Sequence, residues 1–323
     1  MKTKFNMQIE QKGNITVKEA FDEYITEKKV MNLSECTIKL YERFYNNVFI
    51  KFYSENELCK NITKEIVIEF IGFLKNRNPN IRTTSINSYL HSLRAMLYNF
   101  MENEYTPHFK IKMVKSEKII KETYSPDELE RLLKKPNIKK CRFSEYRDWV
   151  MVCYLLGTGN RLSTLCNLKI KDIDFENTEI TLRKVKNKKQ YIIPLTSTLA
   201  NTLSEYLKIR QGEPDDYLFC NQYGNYFPQG GVISAIRRYN HSRGVAKTSV
   251  HLFRHTFAKN WILNGGDIFR LKNILGHSSL EMVKEYVNMF GGDLKRDFDK
   301  FNPLESMKAS VVGREAINIR KPS

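Results

Sequence analysis

The first third of the chain shows helical spacing, and this feature constrains the fold most. Five apolar residues recur at steps of four and three, which marks one face of a helix: Ile86, Leu90, Leu93, Leu97 and Phe100. Three more amphipathic segments precede this helix. They span about residues 17–29, 37–53 and 64–77. Thr16 and Glu19 form a capping-box pattern before the first segment. Four such helices predict a compact helical bundle over residues 16–103, after an N-terminal extension of residues 1–15.

Residues 104–121 interrupt the helical spacing. They contain a proline, five lysines and no apolar helical stripe. We expect an interdomain linker here. Two interpretations stay open, because the lysines either follow a phosphate backbone or are simply solvated.

A second folded region is predicted from residue 122. Ser125 and Glu128 repeat the capping-box pattern, with Pro126 at the first helical position. An apolar helix containing WVMVCYLLGTG then leads to Arg161.

A β-rich stretch of the sequence follows. The segment EITLRKVKNKKQYIIPL predicts two strands around a cationic turn near Asn187. Helical patterns return from Thr196 and dominate to about residue 300. The predicted fold class is therefore mainly α with a small antiparallel β-sheet.

The charge balance indicates a polyanionic partner. Fifty-three Lys and Arg oppose thirty-six Asp and Glu, for a net charge of +17. Such a surface attracts nucleic acid or an anionic membrane, although charge that serves only solubility is the alternative. No apolar run is long enough for a transmembrane helix, and residues 1–13 lack the apolar centre of a signal peptide. Nucleic acid is thus favoured over a membrane.

The cysteines indicate a cytoplasmic protein. Six are scattered through the chain without close pairs. We expect reduced core residues and neither a zinc site nor a disulfide framework. They are Cys36, Cys59, Cys141, Cys153, Cys166 and Cys220.

Cutting DNA without a metal ion needs three kinds of side chain, and the C-terminal part of the chain holds all three. Arginines stabilise the charge gained by the phosphate, a lysine or histidine moves protons, and a nucleophile holds the phosphate. The segment from HLFRHTFA to KEYVN contains His251, Arg254, His255, His277 and Tyr286. Ser278 and Glu281 form a third capping-box pattern, so a helix carrying Tyr286 is expected just after His277.

Each of these residues also has a structural interpretation when taken alone. Tyr286 shares a helical row with Met282 and Phe290, as a core tyrosine does. His251 and His255 have the spacing of a metal pair, but the zinc-protease pattern needs Glu where Leu252 stands. Arg161 fits a surface helix cap and Lys186 a solvated turn.

The joint pattern resembles the tyrosine recombinase (phage integrase) family. The motifs LLGTGNRLSTLCNLKIKDID, KNKKQYIIPL, HLFRHTFA and LGHSSLEMVKEYVN stand in that family's order and approximate spacing. The resemblance covers a catalytic domain of about residues 122–292. Residues 16–103 resemble the family's core-DNA-binding domain more weakly.

The resemblance implies roles for six residues. Arg161 and Arg254 clamp the scissile phosphate, and Lys186 protonates the leaving 5′ oxygen. Lys186 is chosen over its neighbouring lysines by counting back from Pro194.

The remaining roles concern the nucleophile. Tyr286 attacks and forms a 3′-phosphotyrosyl bond, His251 assists proton transfer at Tyr286, and His277 binds the phosphate or orders the site. No metal, ATP or other cofactor is expected. One position departs from the family, since many relatives have an acidic residue where Thr164 stands.

The resemblance also implies an assembly. The two domains close as a C-shaped clamp on duplex DNA at a specific recombination site. A homo-tetramer on two sites exchanges strands through a Holliday junction, starting from monomers or dimers in solution. Residues 293–323 are expected to contact a neighbouring protomer, the alternative being packing in cis. The bundle begins near residue 16, so no arm-binding domain is expected, as in Xer or transposon-integrase recombinases.

Several points stay open at this level. The biological task is either integration and excision of a mobile element or resolution of chromosomes or plasmids, with or without an accessory DNA-bending or directionality factor. A type IB topoisomerase and a non-catalytic DNA-binding regulator are the rival functions. Candidate DNA contacts are Thr83, Asn87, Arg94, Lys115, Lys184, Lys188, Arg237, Arg238 and Arg243.

Overall fold

The computed structural model describes residues 14–115, 122–183, 191–277 and 279–290. The chain divides into two compact units, Met1–Ile119 and Ile120–Ser323. This division falls inside the predicted linker, and the predicted domain limits remain predictions.

In its described residues, 14–115, the first unit is a bundle of four α-helices. They are α1 (Val17–Val30), α2 (Glu35–Phe44), α3 (Lys64–Arg77) and α4 (Thr83–Glu102). The predicted capping box is confirmed, because Thr16 and Glu19 bond reciprocally at the start of α1. The second helix begins earlier than expected, since the Ser34 hydroxyl accepts from the Thr37 amide, and α2 passes into a π turn at Tyr45–Phe49.

Aromatic side chains fill the core of this unit. The rings of Phe21 and Tyr45 stack with centroids 3.7 Å apart. Phe70 and Phe100 are fully buried, and Asn99 of α4 donates to Glu27 of α1 over 2.7 Å. The predicted stripe of α4 faces this core, because all five of its apolar residues are buried.

The described part of the predicted linker packs onto the first unit. Ile111 is buried, while Phe109 and Met113 are half-buried against the same core. Lys110 and Lys112, which alternate with them, are exposed. This two-residue alternation is the pattern of an extended segment with one face on a core. Residues 104–115 are therefore anchored to the bundle.

The second unit is built around one buried helix. Its helices are α5 (Pro126–Leu133), α6 (Phe143–Thr158), α7 (Leu162–Asn167), α8 (Ser197–Arg210), α9 (Gln229–Ser242), α10 (Val250–Leu263), α11 (Ile268–Leu275) and α12 (Glu281–Phe290). The apolar helix α6 packs against α5, α8, α9 and α10. The second predicted capping box is confirmed at α5, with Ser125, Glu128 and Pro126 in the expected places.

A three-stranded antiparallel sheet accompanies these helices. Its strands, in spatial order, are β1 (Ile173–Asp174), β2 (Glu179–Leu182) and β3 (Tyr191–Pro194). Ile180 pairs with Ile193, and both are buried. The predicted fold class, mainly α with a small antiparallel sheet, is confirmed, and β1 is an addition to the two predicted strands.

Helices α10, α11 and α12 share a small core of their own. Ala258, Leu271, Leu275, Val283 and Tyr286 are its buried members. The start of the second unit anchors α10, because the Tyr124 amide donates to the Thr256 hydroxyl and the Tyr124 ring contacts Phe253.

Two sequence predictions concern the chain as a whole. None of the helices in the four described ranges is both long and apolar enough to cross a membrane. All six cysteines lie in those ranges as free thiols, and three of them are buried core residues as expected. Cys141 and Cys153 are half-buried, and Cys36, in the first turn of α2, is exposed instead.

Candidate active site

Two helices of the second unit end at glycines that turn their last carbonyl groups towards one place. Gly159 ends α6 at φ 61° and Gly276 ends α11 at φ 59°, both in the left-handed region. A residue with a Cβ adopts this conformation only at a cost, so glycine suits both positions. The carbonyl ends of helices carry partial negative charge, which attracts cations.

Arg254 of α10 binds both helix ends. Nη1 donates to the Gly159 oxygen and Nη2 to the Leu275 oxygen, each over 2.8 Å. The side chain is only 6% exposed, so its position is fixed from several sides. Burial, and then the nearby charge of Arg161, lower the pKa of Arg254 to about 10, which leaves it charged at neutral pH.

Arg161 lies beside Arg254 but is held more loosely. It is the residue before α7, and both terminal nitrogens lie 3.4 Å from the Gly276 oxygen. The preceding residues are fixed, because Asn160 is buried and donates to the Tyr154 hydroxyl over 2.7 Å. Thr158 also accepts from the Asn160 amide. The two arginines thus form a close cationic pair.

His277 completes this group from the residue after Gly276. Its Nε2 lies 2.5 Å from Nη2 of Arg254, and the side chain is buried. A guanidinium can only donate, so Nε2 accepts and the ring proton is on Nδ1. His277 therefore belongs to the network that fixes Arg254.

Tyr286 reaches the same place from α12. It is 3% exposed, within the core that α10, α11 and α12 share. Burial raises the pKa of its phenol, while the charges of Arg254 and Arg161 oppose that rise. The hydroxyl thus lies close to the arginine pair but keeps its proton at neutral pH.

The histidine at Tyr286 differs from the sequence prediction. Nδ1 of His255 lies 2.7 Å from the Tyr286 hydroxyl, and the two rings are 5.7 Å apart. His251, which the resemblance assigns to this proton transfer, is exposed in the first turn of α10. The family resemblance gives His255 no role, and its spacing from His251 is that of a metal pair. The sequence signal that points to His255 as a site residue is its position directly after Arg254, which is itself a predicted site residue.

Tyr191 of β3 is a second residue that sequence reasoning missed. Its half-buried hydroxyl lies against Gly276, where a Cβ would come within 2.6 Å of the oxygen. Burial raises the pKa of Tyr191, and the charges of Arg254 and Arg161 oppose the rise. A tyrosine hydroxyl thus lies close to the arginine pair, at the first described residue after the cationic turn.

Three predicted features lie outside the described residues. Lys186, together with Lys184 and Lys188, falls in the undescribed stretch 184–190. Ser278 of the third capping box and the C-terminal segment 293–323 also lie outside. Their roles stay predictions.

Thr164, where the family resemblance leads us to expect an acidic residue, is buried in α7. Its amide donates to the Arg161 carbonyl over 3.0 Å. This bond closes the first turn of α7, so the Thr164 backbone helps to hold the backbone of Arg161 in place.

The candidate DNA contacts of the first unit have different surroundings. The amide group of Asn87 both donates to the Val114 oxygen over 2.8 Å and accepts from the Val114 amide over 2.9 Å. Arg94 lies 3.4 Å from His91, Thr83 is half-buried at the start of α4, and Lys115 is exposed. Asn87 therefore holds the extended segment to the bundle.

The candidate contacts of the second unit lie on and after α9. Arg237 and Arg238 are exposed, as DNA contacts need to be. Arg243 is half-buried, with Nη2 3.1 Å from Glu145 and its guanidinium over the Tyr239 ring. Arg243 thus has structural partners already.

Comparisons with known proteins agree with this geometry. The model of the phage integrase family matches residues 122–291. The chain is 29% identical to a tyrosine recombinase of Pseudothermotoga lettingae over 290 residues, which cover 88% of this chain and 96% of the relative. It is 28% identical to tyrosine recombinase XerA of Pyrococcus furiosus over 292 residues, covering 90% and 96%.

Solved structures share the fold. A Tn1549 transposon integrase in complex with circular intermediate DNA has a TM-score of 0.67 at 22% identity, covering 84% of this chain and 95% of the integrase. A lambda integrase dimer bound to a COC′ core site has a TM-score of 0.69 at 17% identity, covering 90% and 83%.

Proposed function

The chain belongs to the phage integrase family of tyrosine recombinases, enzymes of site-specific recombination, and on this premise we propose that it cuts and rejoins duplex DNA through Tyr286. One observation carries the proposal. Arg161, Arg254, His277 and Tyr286 come from four separate places in the sequence and meet at one site. A buried tyrosine beside two charged arginines has the parts that metal-free phosphoryl transfer needs.

In the proposed reaction, Arg161 and Arg254 hold the scissile phosphate and stabilise the charge that it gains. The hydroxyl of Tyr286 loses its proton to a base of the site, its oxygen bonds to phosphorus, and the bond from phosphorus to the 5′ oxygen breaks. Lys186 gives a proton to that oxygen. The product is a 3′-phosphotyrosyl link and a 5′ hydroxyl, so the energy of the broken bond is kept for rejoining. A 5′ hydroxyl from a partner duplex reverses the step.

The proposal extends to assembly. Four copies act on two DNA sites and exchange strands in two steps through a Holliday junction. The exposed Arg237 and Arg238 and the basic balance of the chain support binding to the DNA backbone. The structures of DNA-bound relatives support a duplex as the partner.

The first experiment identifies the target DNA. DNA held covalently by the protein is captured from cells and sequenced. Sites at the two ends of a mobile segment support integration and excision, whereas one site on a chromosome or plasmid supports resolution.

The second experiment tests the chemistry. A nicked duplex oligonucleotide with the recovered site loses a short fragment on cleavage, so the covalent protein–DNA product accumulates. We expect this product from the wild type and none from Tyr286→Phe, which keeps the ring but lacks the nucleophile. A covalent product with Tyr286→Phe, or none with the wild type, refutes the proposal. Efficient relaxation of supercoiled plasmid that lacks the site would indicate topoisomerase activity instead.

A further inference from the structure

The nucleophile has a histidine partner to which the family resemblance assigns no role. Nδ1 of His255 lies 2.7 Å from the Tyr286 hydroxyl. The contact joins α10 to α12, whose side chains pack in one small core. Tyr286 is buried and His255 half-buried, so the packing of two helices defines this hydrogen bond.

Attack by Tyr286 requires a group that takes its proton. Burial raises the pKa of the phenol, so at neutral pH the hydroxyl is protonated. Arg161 and Arg254 cannot accept a proton, because a guanidinium only donates. Nε2 of His277 already accepts from Arg254. An imidazole nitrogen at hydrogen-bond distance from the hydroxyl is what a general base needs, and His255 provides it.

We propose that His255 accepts the proton of Tyr286 during cleavage. This inference rests on the proposed function, cleavage of DNA by Tyr286. The O–H bond of Tyr286 breaks and its proton moves to Nδ1 of His255. The phenol oxygen bonds to phosphorus, the bond from phosphorus to the 5′ oxygen breaks, and the leaving oxygen takes a proton from Lys186. On rejoining, His255 returns its proton to Tyr286. His251, at the exposed start of α10, is then free to act on the phosphate side.

The charges around His255 favour this role. Neighbouring positive charge disfavours a protonated imidazole in general, and a general base must be neutral before it can accept a proton. Positive or titratable neighbours on its own helix are His251, Arg254 and Lys259. From other elements, Arg161 and Glu285 act on Tyr286, the first lowering and the second raising the pKa of its phenol, and His277 contacts Arg254.

The test is single-turnover cleavage of the nicked oligonucleotide, measured from about pH 5 to 9. His255→Asn places an amide where Nδ1 was, so a hydrogen bond to Tyr286 is kept but basicity is lost. We expect cleavage to slow about 100-fold or more at neutral pH, the usual contribution of a general base. The wild-type rate rises with pH and levels off once the imidazole is neutral. In His255→Asn the plateau of the rate at high pH disappears. The cleavage rate instead keeps rising with pH as the Tyr286 phenol ionises. His251→Asn, in contrast, keeps the levelling.

A sulfur-substituted oligonucleotide distinguishes loss of the acid that protonates the leaving group from loss of the base that deprotonates Tyr286. When sulfur replaces the leaving 5′ oxygen, the leaving thiolate needs no proton. The substitution restores cleavage by Lys186→Ala, which lacks the acid, and leaves His255→Asn slow, because the missing base acts on the nucleophile. Thermal unfolding and non-covalent DNA binding of His255→Asn confirm that it is folded. If it is not, His255→Gln takes its place.

Three results overturn the inference while the wild type still cleaves. They are a His255→Asn rate within about threefold of wild type, loss of the pH levelling in His251→Asn instead, or rescue of His255→Asn by sulfur. Absence of cleavage by the wild type refutes the proposed function itself, so the two failures are distinct.

Discussion

Nη2 of Arg254 lies 2.5 Å from Nε2 of His277, and the same nitrogen also donates to the Leu275 carbonyl. With the bond from Nη1 to Gly159, one guanidinium therefore ties the end of α6, the end of α11 and the residue after it to α10. The candidate site and the packing of the second unit depend on the same side chain.

Substitution of Arg254 should therefore lower both stability and activity. Lysine cannot reach the three acceptors at once, and a hydrogen bond to a charged group contributes about 1.5–3 kcal/mol. Since each kcal/mol shifts the melting temperature of a unit of this size by about 2–4 °C, we expect Arg254→Lys to melt at least about 5 °C lower.

Arg161→Lys is the matched control for Arg254→Lys. Its two bonds to Gly276 are 3.4 Å long, so the melting temperature should stay within about 2 °C of wild type. Cleavage falls about 100-fold or more in both variants, because each loses a fixed cation. Calorimetry and cleavage rates check this, and equal melting temperatures for the two variants would contradict it.

His277 should tolerate only substitutions that keep an acceptor for Arg254. The side-chain oxygen of His277→Gln can take the place of Nε2, so we expect cleavage within about tenfold of wild type. His277→Leu leaves a buried charged donor without this acceptor, a loss of about 1.5–3 kcal/mol or roughly 10- to 100-fold in rate. Equal rates for the two variants would show that the hydrogen bond does not matter.

Gly276 should be far more sensitive to alanine than another left-handed glycine. Gly276 and Gly224 have φ of 59° and 82°, so alanine pays the same conformational cost of about 1–2 kcal/mol at both. A Cβ at Gly276 meets the Tyr191 hydroxyl at 2.6 Å, whereas nothing lies within 4 Å at Gly224. Overpacking adds about 1–3 kcal/mol. Urea unfolding measures the difference, and adding Tyr191→Phe to Gly276→Ala should recover part of it. Equal losses at the two glycines would exclude the contact.

Asn87→Ala should release the extended segment without changing the DNA sequence preference. The Val114 amide and carbonyl lose their partner, at about 0.5–1.5 kcal/mol for each bond. Hydrogen exchange of the Val114 amide should speed up about tenfold, while Arg94→Ala leaves it unchanged. If Asn87→Ala alters the preferred DNA site and leaves this exchange rate as it was, Asn87 reads bases after all.

The features that the sequence predicts well are local ones. The capping boxes at Thr16 and Ser125 each need only residues three positions apart, so the pattern already contains the interaction. The apolar stripe on α4 is also predicted from the sequence, because a helical face repeats every three or four residues. Strand β1 is not predicted from the sequence, because two residues are too few to show an apolar–polar alternation. Only its pairing with β2 defines it as a strand.

The missed contacts all join distant parts of the chain. His255 and Tyr286 are 31 positions apart, and only the packing of α10 on α12 decides that His255 and not His251 meets the hydroxyl. Phe109, Ile111 and Met113 alternate with polar residues in the sequence, but the lysines in this segment fit either a phosphate-following or a solvated linker. Asn87 looked like an exposed polar residue because its partner, Val114, is a backbone group that no side-chain pattern reveals.

The hydrogen bonds that hold Arg161 and Arg254 have one property in common. Among the described residues their acceptors are carbonyl oxygens, an imidazole and the Tyr286 phenol, none of which has a formal charge at neutral pH. These contacts leave the positive charges of the two arginines in place, and their mutual repulsion favours binding of an anion. A plain oxyanion such as sulfate should then act as a thermal stabiliser of this chain, and DNA should displace it in competition.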